Sequence, residues 1–217
     1  MRASLDTNIL IHLYNANLQS ILFEIFDEGV FIYEMIRSVE LEKHGKQLLD
    51  KIDEDIQAEK IKVYTDTELK DKKIYSMFEI NVNENKNLYG SGDLGEIYAI
   101  SLAQTLGAYF LLTDDTKNGG PYTSLLQFDC DVMPFNFADV LILRYLTKLA
   151  DEKQTIDDFD TVNNCSSLNW SLKSKIKRFS ERFHGKYKKE DKEWIQSLED
   201  KYKINVENKL TILKKKI

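Results

Sequence analysis

The chain has few of the residues that stabilise small secreted or zinc-bound domains. Its 217 residues include only two cysteines, Cys130 and Cys165, and three histidines. Two cysteines are too few for a disulfide framework, and no Cys/His spacing suggests a zinc site. We therefore expect ordinary buried or half-buried thiols in a reducing compartment, and a core that is stable without cross-links.

Long apolar runs are also lacking. About 18 consecutive apolar residues, the length that a membrane-spanning helix needs, occur nowhere in the sequence. Asp6, Asn8 and His12 interrupt the apolar start, and no small-residue cleavage site follows it. We expect a cytoplasmic protein that has no membrane partner.

Three common kinds of catalytic motif are missing as well. The segment GSGDLG at 90–95 lacks the lysine of a phosphate-binding loop and does not match GxGxxG. No Ser/His/Asp or Cys/His constellation can be assembled, and the DxDxT pattern of aspartyl-nucleophile phosphatases is absent. Acyl transfer and phosphatase chemistry are therefore disfavoured.

Charge is distributed unevenly along the chain. Residues 171–217 hold 15 Lys and Arg against 7 Asp and Glu, whereas residues 1–170 hold 15 against 29, so the net charges are +8 and −14. Two solvated surfaces of opposite sign would explain this pattern. A tail that attracts phosphate backbones beside an acidic body that holds metal ions would explain it equally well.

Short β-branched and aromatic runs alternate with helical patterns in the first 150 residues, and helical patterns alone follow. Strands separated by helices pair in parallel through right-handed crossovers, with helices on both faces. We predict an α/β three-layer sandwich over 1–150, with a central parallel sheet of four to five strands, and a basic helical appendage over 151–217. The predicted strands are Ala3–Leu5, Val30–Tyr33, Ile61–Tyr64, Tyr109–Thr113 and a weak fifth at Asp131–Met133.

The connecting segments are predicted mainly as helices. Gly107 is the expected C-cap of the helix before the fourth strand. Asn81–Asn87 is predicted as a polar loop, and a break is expected near Asn163–Ser167. The helical segments are Thr7–Asn15, Leu18–Asp27, Ile36–Lys43, Lys46–Ala58, Leu69–Phe78, Asp93–Leu106, Thr123–Phe128 and Phe137–Leu149.

Acidic residues cluster around the carboxyl ends of the predicted strands, where ligands bind in open parallel sheets. Grouped carboxylates repel one another unless a cation lies between them, and Mg²⁺ and Mn²⁺ prefer carboxylate oxygens. Such a site can activate water for attack on a phosphodiester. The candidates are Asp6 after strand one, Glu40 after strand two, Asp93 and Glu96 on one helical face, and Asp114 and Asp115 after strand four.

Each of these residues also has a purely structural interpretation. Asp6 could cap the following helix, and Asp93 with Glu96 could form a capping box. Asp114 and Asp115 could be turn formers, and Glu40 a solvated helix charge. The occurrence of these acidic positions together favours the metal site over the structural alternatives.

These segments resemble the motifs of PIN-domain nucleases. SLDTNILI is similar to the opening motif of the family, RSVELEKHG to the second motif, and GSGDLGEIYAISLAQTLGAYFLLTDD to the third and fourth. The resemblance covers roughly residues 1–149. It implies a Mg²⁺- or Mn²⁺-dependent endoribonuclease that hydrolyses single-stranded RNA, with the toxin of a toxin–antitoxin pair as one setting.

The resemblance also implies roles for individual residues. Asp6, Glu40, Glu96 and Asp114 would be catalytic, and Thr7 or Asn8 would orient Asp6 through a hydrogen bond. The implied metal ligands are Asp6, Asp93, Glu96, Asp114 and Asp115, with Asp93 as the alternative to Glu96 where toxin-type members carry an aspartate.

Partners follow from the same interpretation. Single-stranded RNA, an antitoxin protein and a second copy of the chain are the expected partners. The alternative is a non-catalytic PIN-like module that binds RNA or protein through the basic tail. The predicted nucleic-acid contacts are Lys173, Lys175, Lys177, Arg178 and Arg182. The aromatic residues of the tail could stack on bases, but their helical spacing favours a small core.

Overall fold

A computed structural model describes residues 1–90, 94–117, 119–127, 131–183 and 189–217. Its centre is a five-stranded sheet in which every pairing is parallel, with the order β3-β2-β1-β4-β5. The predicted α/β fold with a parallel sheet is therefore confirmed. The strands are β1 (Ala3–Leu5), β2 (Val30–Tyr33), β3 (Ile61–Tyr64), β4 (Phe110–Leu112) and β5 (Met133–Phe135).

Helices cover both faces of the sheet and form the whole C-terminal part. A π-helical turn at Ile36–Glu40 and a 3₁₀ turn at Lys46–Leu48 lie between β2 and β3. Within the described residues the α-helices are α1 (Thr7–Asn15), α2 (Ser20–Ile25), α3 (Leu41–His44), α4 (Leu49–Gln57), α5 (Asp66–Asp71), α6 (Tyr75–Tyr89), α7 (Leu94–Leu106), α8 (Pro121–Leu125), α9 (Phe137–Leu146), α10 (Glu152–Cys165), α11 (Leu172–Glu181), α12 (Lys189–Tyr202) and α13 (Val206–Lys216).

Burial explains why the strand predictions were accurate. Every residue of β1, β2, β4 and β5 is buried, so these strands appear in the sequence as continuous apolar runs rather than alternating patterns. β3 lies at the edge of the sheet, and Lys62 in it faces solvent. The fifth strand lies two residues later than predicted, at Met133–Phe135.

The predicted loop at Asn81–Asn87 is wrong, because these residues belong to the 15-residue helix α6. Their amides form the contact with α7. The Asn85 side chain donates to Ser101 Oγ at 2.9 Å and to Gln104 Oε1 at 2.8 Å, and Asn81 donates to Thr105 Oγ1 at 2.9 Å. These tertiary hydrogen bonds override the weak helix propensity of asparagine.

The C-terminal helices pack directly against the sandwich. α10 contacts α1 and α9, while α11 contacts α9 and α13. Phe159 and Phe179, from α10 and α11, belong to the same buried apolar cluster as the sheet. The predicted break lies after α10, which ends at Cys165. The Cys165 thiol is free but exposed, so the prediction that it is buried or half-buried is wrong, and Cys130 lies outside the described residues.

The strand order reverses between β1 and β4. From β1 the chain continues outward to β2 and β3, and it then returns to place β4 on the opposite side of β1. In open parallel sheets this reversal opens a crevice at the carboxyl ends of the two central strands. Leu5 pairs with Leu112, so Asp6 and Thr113 follow side by side at that edge.

No helix in the described parts of the chain is both long and apolar enough to span a membrane.

Candidate functional site

Asp6 lies at the carboxyl end of β1 and is 2% exposed. It occupies the N-cap position of α1, yet its side chain makes no capping hydrogen bond. Its carboxylate instead accepts a hydrogen bond from Thr113 Oγ1 at 2.9 Å, across the sheet. Its backbone N–H donates to the Leu112 carbonyl at 2.9 Å. The Asp6 side chain thus bonds to the end of β4 and does not cap α1.

Asp114 follows β4, and its side chain is fully buried. One carboxylate oxygen accepts the Phe137 backbone N–H at 2.7 Å, at the start of α9, where the helix dipole favours a negative charge. The other oxygen lies 2.6 Å from His12 Nδ1, on α1. Hydrogen bonds therefore hold both carboxylate oxygens of Asp114 in place.

His12 is a site residue that the sequence alone did not reveal. A histidine among apolar helix residues, as His12 is in α1, is typical of a structural or surface role. Its partner lies 102 residues away along the chain, so no local pattern could have indicated the contact. His12 is only partly exposed, and its contact with Asp114 holds that carboxylate towards α1.

Glu96 and Asp115 are linked through Lys117. Glu96 lies in the first turn of α7 and is 1% exposed, whereas Asp115 is partly exposed. The Lys117 Nζ atom lies 2.5 Å from Asp115 Oδ2 and 3.8 Å from Glu96 Oε2. A lysine ammonium therefore lies beside two of the carboxylates that were predicted to hold a cation.

Glu40 approaches the same edge from the π-helical turn after β2. Gly95, next to Glu96, makes room for it, since a Cβ atom there would lie 3.2 Å from Glu40 Cγ and 3.3 Å from Thr7 Oγ1. The Glu40 carboxylate also lies 3.8 Å from His44 Nε2. At Gly95 the backbone of α7 thus lies close to both Glu40 and the start of α1.

The residues predicted to orient Asp6 are Thr7 and Asn8. Asn8 is partly exposed, and Thr7 is buried. The Thr7 hydroxyl has no hydrogen-bond partner within the described chain, and it faces Gly95. Thr113 supplies the hydroxyl that bonds Asp6.

A divalent cation suits this donor set in part. Asp6 and Asp114 are buried carboxylates at the ends of β1 and β4, and Glu96 is a buried carboxylate in the first turn of α7. Carboxylate oxygens are the ligands that Mg²⁺ and Mn²⁺ prefer, and the Thr7 hydroxyl is a further buried polar atom near the start of α7. Over residues 1–90, 94–117, 119–127, 131–183 and 189–217, no three His, Cys, Asp or Glu side chains are grouped closely enough to hold a metal ion. Asp93, the remaining predicted ligand, lies outside the described residues.

The predicted nucleic-acid contacts divide into two groups. Lys173, Lys177 and Arg178 are exposed along one face of α11. Lys175 and Arg182 are instead buried, which does not suit an open phosphate-binding surface.

Lys175 is buried against the aromatic stack that joins α11 to α9. Its Nζ atom lies 3.1 Å from the centre of the Trp170 ring, whose plane stacks on Phe137 at 5.1 Å. Burial lowers the pKa of Lys175 to about 8, although Asp139 and Asp114 raise it. Both faces of Trp170 are therefore occupied by the protein itself, and this residue serves the core rather than base stacking.

Arg182 links the C-terminal helices to α9. Its Nε atom lies 3.3 Å from Asp191 Oδ2, and its Nη1 atom lies 3.6 Å from Asp139 Oδ2. Asp139 also accepts the Tyr122 hydroxyl at 2.7 Å, and burial, followed by this carboxylate, raises the pKa of Tyr122. This buried polar cluster fixes the tail next to α9, whose first turn bonds Asp114.

Comparison of the chain with protein-family models, with curated proteins and with solved structures found no match in any of the three. The resemblance to PIN domains therefore stays a prediction from the motifs.

Proposed function

We propose that the protein is a divalent-metal-dependent endoribonuclease that hydrolyses single-stranded RNA at the carboxyl edge of β1 and β4. The observation that carries the proposal is the pair of buried carboxylates, Asp6 and Asp114, on the two strands that flank the reversal of strand order. Thr113 links the two residues, because the Thr113 hydroxyl donates to Asp6 and Asp114 is the next residue in the chain.

The residues of the site would act mainly by position. Thr113 holds Asp6, while His12 and the Phe137 N–H hold Asp114, so that neither carboxylate has to be ordered when RNA binds. Buried carboxylates prefer a nearby positive charge to isolation, which favours cation entry at this edge.

Asp6, Asp114 and Glu96 would hold Mg²⁺ or Mn²⁺, with Glu40 and Asp115 beside them. A divalent cation bound there supplies an activated water and neutralises charge on the phosphodiester. Glu40 is the most accessible carboxylate of the four predicted catalytic residues, and it would accept a proton or orient the attacking water.

The exposed face of α11 would contribute to substrate binding. Lys173, Lys177 and Arg178 point into solvent and would contact phosphates without reading the sequence. Their contribution to RNA affinity should fall as the salt concentration rises, because counterions are released on binding.

Cleavage of a mixed-sequence RNA tests the proposal. Wild-type protein should cut single-stranded RNA with Mn²⁺ or Mg²⁺ and stop when EDTA is added. Asp6→Asn and Asp114→Asn should each lose about 100-fold or more in rate, as expected when a directly acting group is removed. Asp157→Asn, on the outside of α10, is the matched control and should leave the rate unchanged. Equal rates in all four proteins would refute the proposal.

A non-catalytic binding module is the second candidate, and one observation favours it. Protein groups already contact the carboxylates: His12 bonds Asp114, and Lys117 lies between Asp115 and Glu96. Metal-independent RNA binding that persists in Asp6→Asn, without cleavage by the wild type, would support this function instead.

A further inference from the structure

Lys117 has an unusual position for an exposed lysine. It follows the last residue of β4 by five positions, and its ammonium lies beside Asp115 and Glu96. About half of its side chain, 52%, is exposed to solvent. The ammonium therefore lies between the bulk solvent and the almost fully buried carboxylate of Glu96.

The loop around Lys117 directs its side chain to this place. The Lys117 backbone N–H donates to Asp115 Oδ1 at 3.1 Å, and the Lys117 carbonyl accepts from Thr123 Oγ1 at 3.0 Å and from the Gly120 N–H at 3.3 Å. A Cβ atom at Gly120 would lie 3.0 Å from Lys117 Cγ and 3.3 Å from its Cε. The absence of a side chain at position 120 thus leaves room for the lysine stem to lie along the loop.

The electrostatic effect of this arrangement follows from Coulomb's law. An ammonium within about 4 Å of a carboxylate stabilises the negative charge, and solvent screening reduces the effect for a lysine that is half exposed. The same ammonium repels any second cation that approaches Glu96 and Asp115. A divalent ion must therefore displace the lysine head or bind against its charge.

We propose that Lys117 is a built-in counter-cation of the carboxylate site, which competes with a divalent metal ion for Asp115 and Glu96. The inference rests on the proposed function, because it takes these residues as the place where the cation binds. Lys117 neutralises the site when no metal is present, and it lowers metal affinity, so that occupancy depends on the metal concentration. It is a positioning residue and does not itself react.

Binding of Mn²⁺ to the full chain tests this proposal. The free ion gives a six-line electron paramagnetic resonance signal that is lost on binding, so a titration gives the dissociation constant directly. Lys117→Met removes the charge and keeps the stem. Lys62→Met is the matched control, since Lys62 is 50% exposed and lies 2.7 Å from Glu68 Oε1, on the edge strand β3.

Lys117→Met should bind Mn²⁺ about threefold to tenfold more tightly than wild type, and the gain should shrink at high ionic strength. Lys62→Met should bind as the wild type does. Thermal unfolding followed by circular dichroism checks that all three proteins are folded.

The other outcomes separate the two proposals. Equal affinity in all three proteins, or weaker binding by Lys117→Met, would overturn the counter-cation role and leave the metal site standing. No loss of the free-ion signal with any of the three would overturn the proposed function, and the inference would fall with it.

Discussion

Replacing Lys175 with methionine should stabilise the protein at neutral pH. The residue is 7% exposed, and its ammonium lies on the Trp170 ring inside the contact between α11 and α9. Burial is the largest influence on its pKa and lowers it, whereas Asp139 and Asp114 act in the opposite direction. The net result is a charged group that is less stable in the folded protein than in water.

The size of the effect follows from the two pKa values of Lys175. The pKa is 10.5 in the unfolded chain and about 8 in the folded protein. Between these values the unfolded chain binds a proton that the folded chain lacks, so this residue makes stability rise as the pH rises. Below pH 8 the folded protein bears the full cost, which is about 3 kcal/mol at ~1.4 kcal/mol per pKa unit.

Lys175→Met removes that cost while keeping most of the buried stem. We expect an increase of about 1 to 3 kcal/mol in the free energy of unfolding at pH 7, since losing the contact between the ammonium and the Trp170 ring offsets part of the gain. At pH 10 the increase should shrink to about 1 kcal/mol or less, because the folded wild type has already released the proton.

Urea denaturation at both pH values, followed by circular dichroism, measures this difference. Lys177→Met is the control on the same helix, because the Lys177 side chain is 71% exposed, and it should change stability little. Destabilisation by Lys175→Met of more than about 1 kcal/mol at pH 7 would refute the reasoning. It would mean that Trp170 and the carboxylates stabilise the ammonium more than burial disfavours it.

Two further substitutions probe the tail and the site. Arg182→Met leaves the buried Asp191 carboxylate without its guanidinium and should lower the free energy of unfolding by about 3 kcal/mol or more in urea denaturation. Arg178→Met, exposed on α11 just before Arg182, should lower the free energy of unfolding by less than about 0.5 kcal/mol, and similar losses for both would contradict the role of Arg182. Gly95→Ala should keep or raise the melting temperature, because alanine favours helix, yet slow metal-dependent RNA cleavage, because its Cβ atom presses on Glu40 at 3.2 Å from Cγ. An unchanged cleavage rate would contradict this prediction and show that the position of Glu40 does not affect cleavage.

The sheet could be predicted from the sequence because buried parallel strands leave a local pattern. β1, β2 and β3 have the predicted bounds, and β4 lies inside its predicted segment. The order of the strands and the reversal between β1 and β4 depend on crossovers that no local window contains. The asparagines of α6 misled the prediction because their partners, on α7, are 16 to 24 residues away.

The carboxylates of the site could be predicted from their positions after strands, whereas the groups that hold them could not. Asp6 and Asp114 follow β1 and β4 in the sequence itself. Thr113 and His12 are 107 and 102 residues from the carboxylates they bond, so the sequence gives no sign of either pair. Lys175 was predicted to contact RNA because charge pattern alone does not distinguish the buried face of α11 from its exposed one.

The most direct test of the central claim is to locate a bound metal ion in the chain. Fe²⁺ replaces Mg²⁺ or Mn²⁺ at oxygen sites, and with ascorbate and peroxide it generates radicals that cut the backbone close to the ion. We predict breaks near Asp6, Glu96 and Asp114, suppressed by excess Mg²⁺ and by Asp114→Asn, when the fragments are identified by mass spectrometry. Breaks confined to residues 151–217, or none at all, would contradict a cation site at the carboxyl edge of β1 and β4.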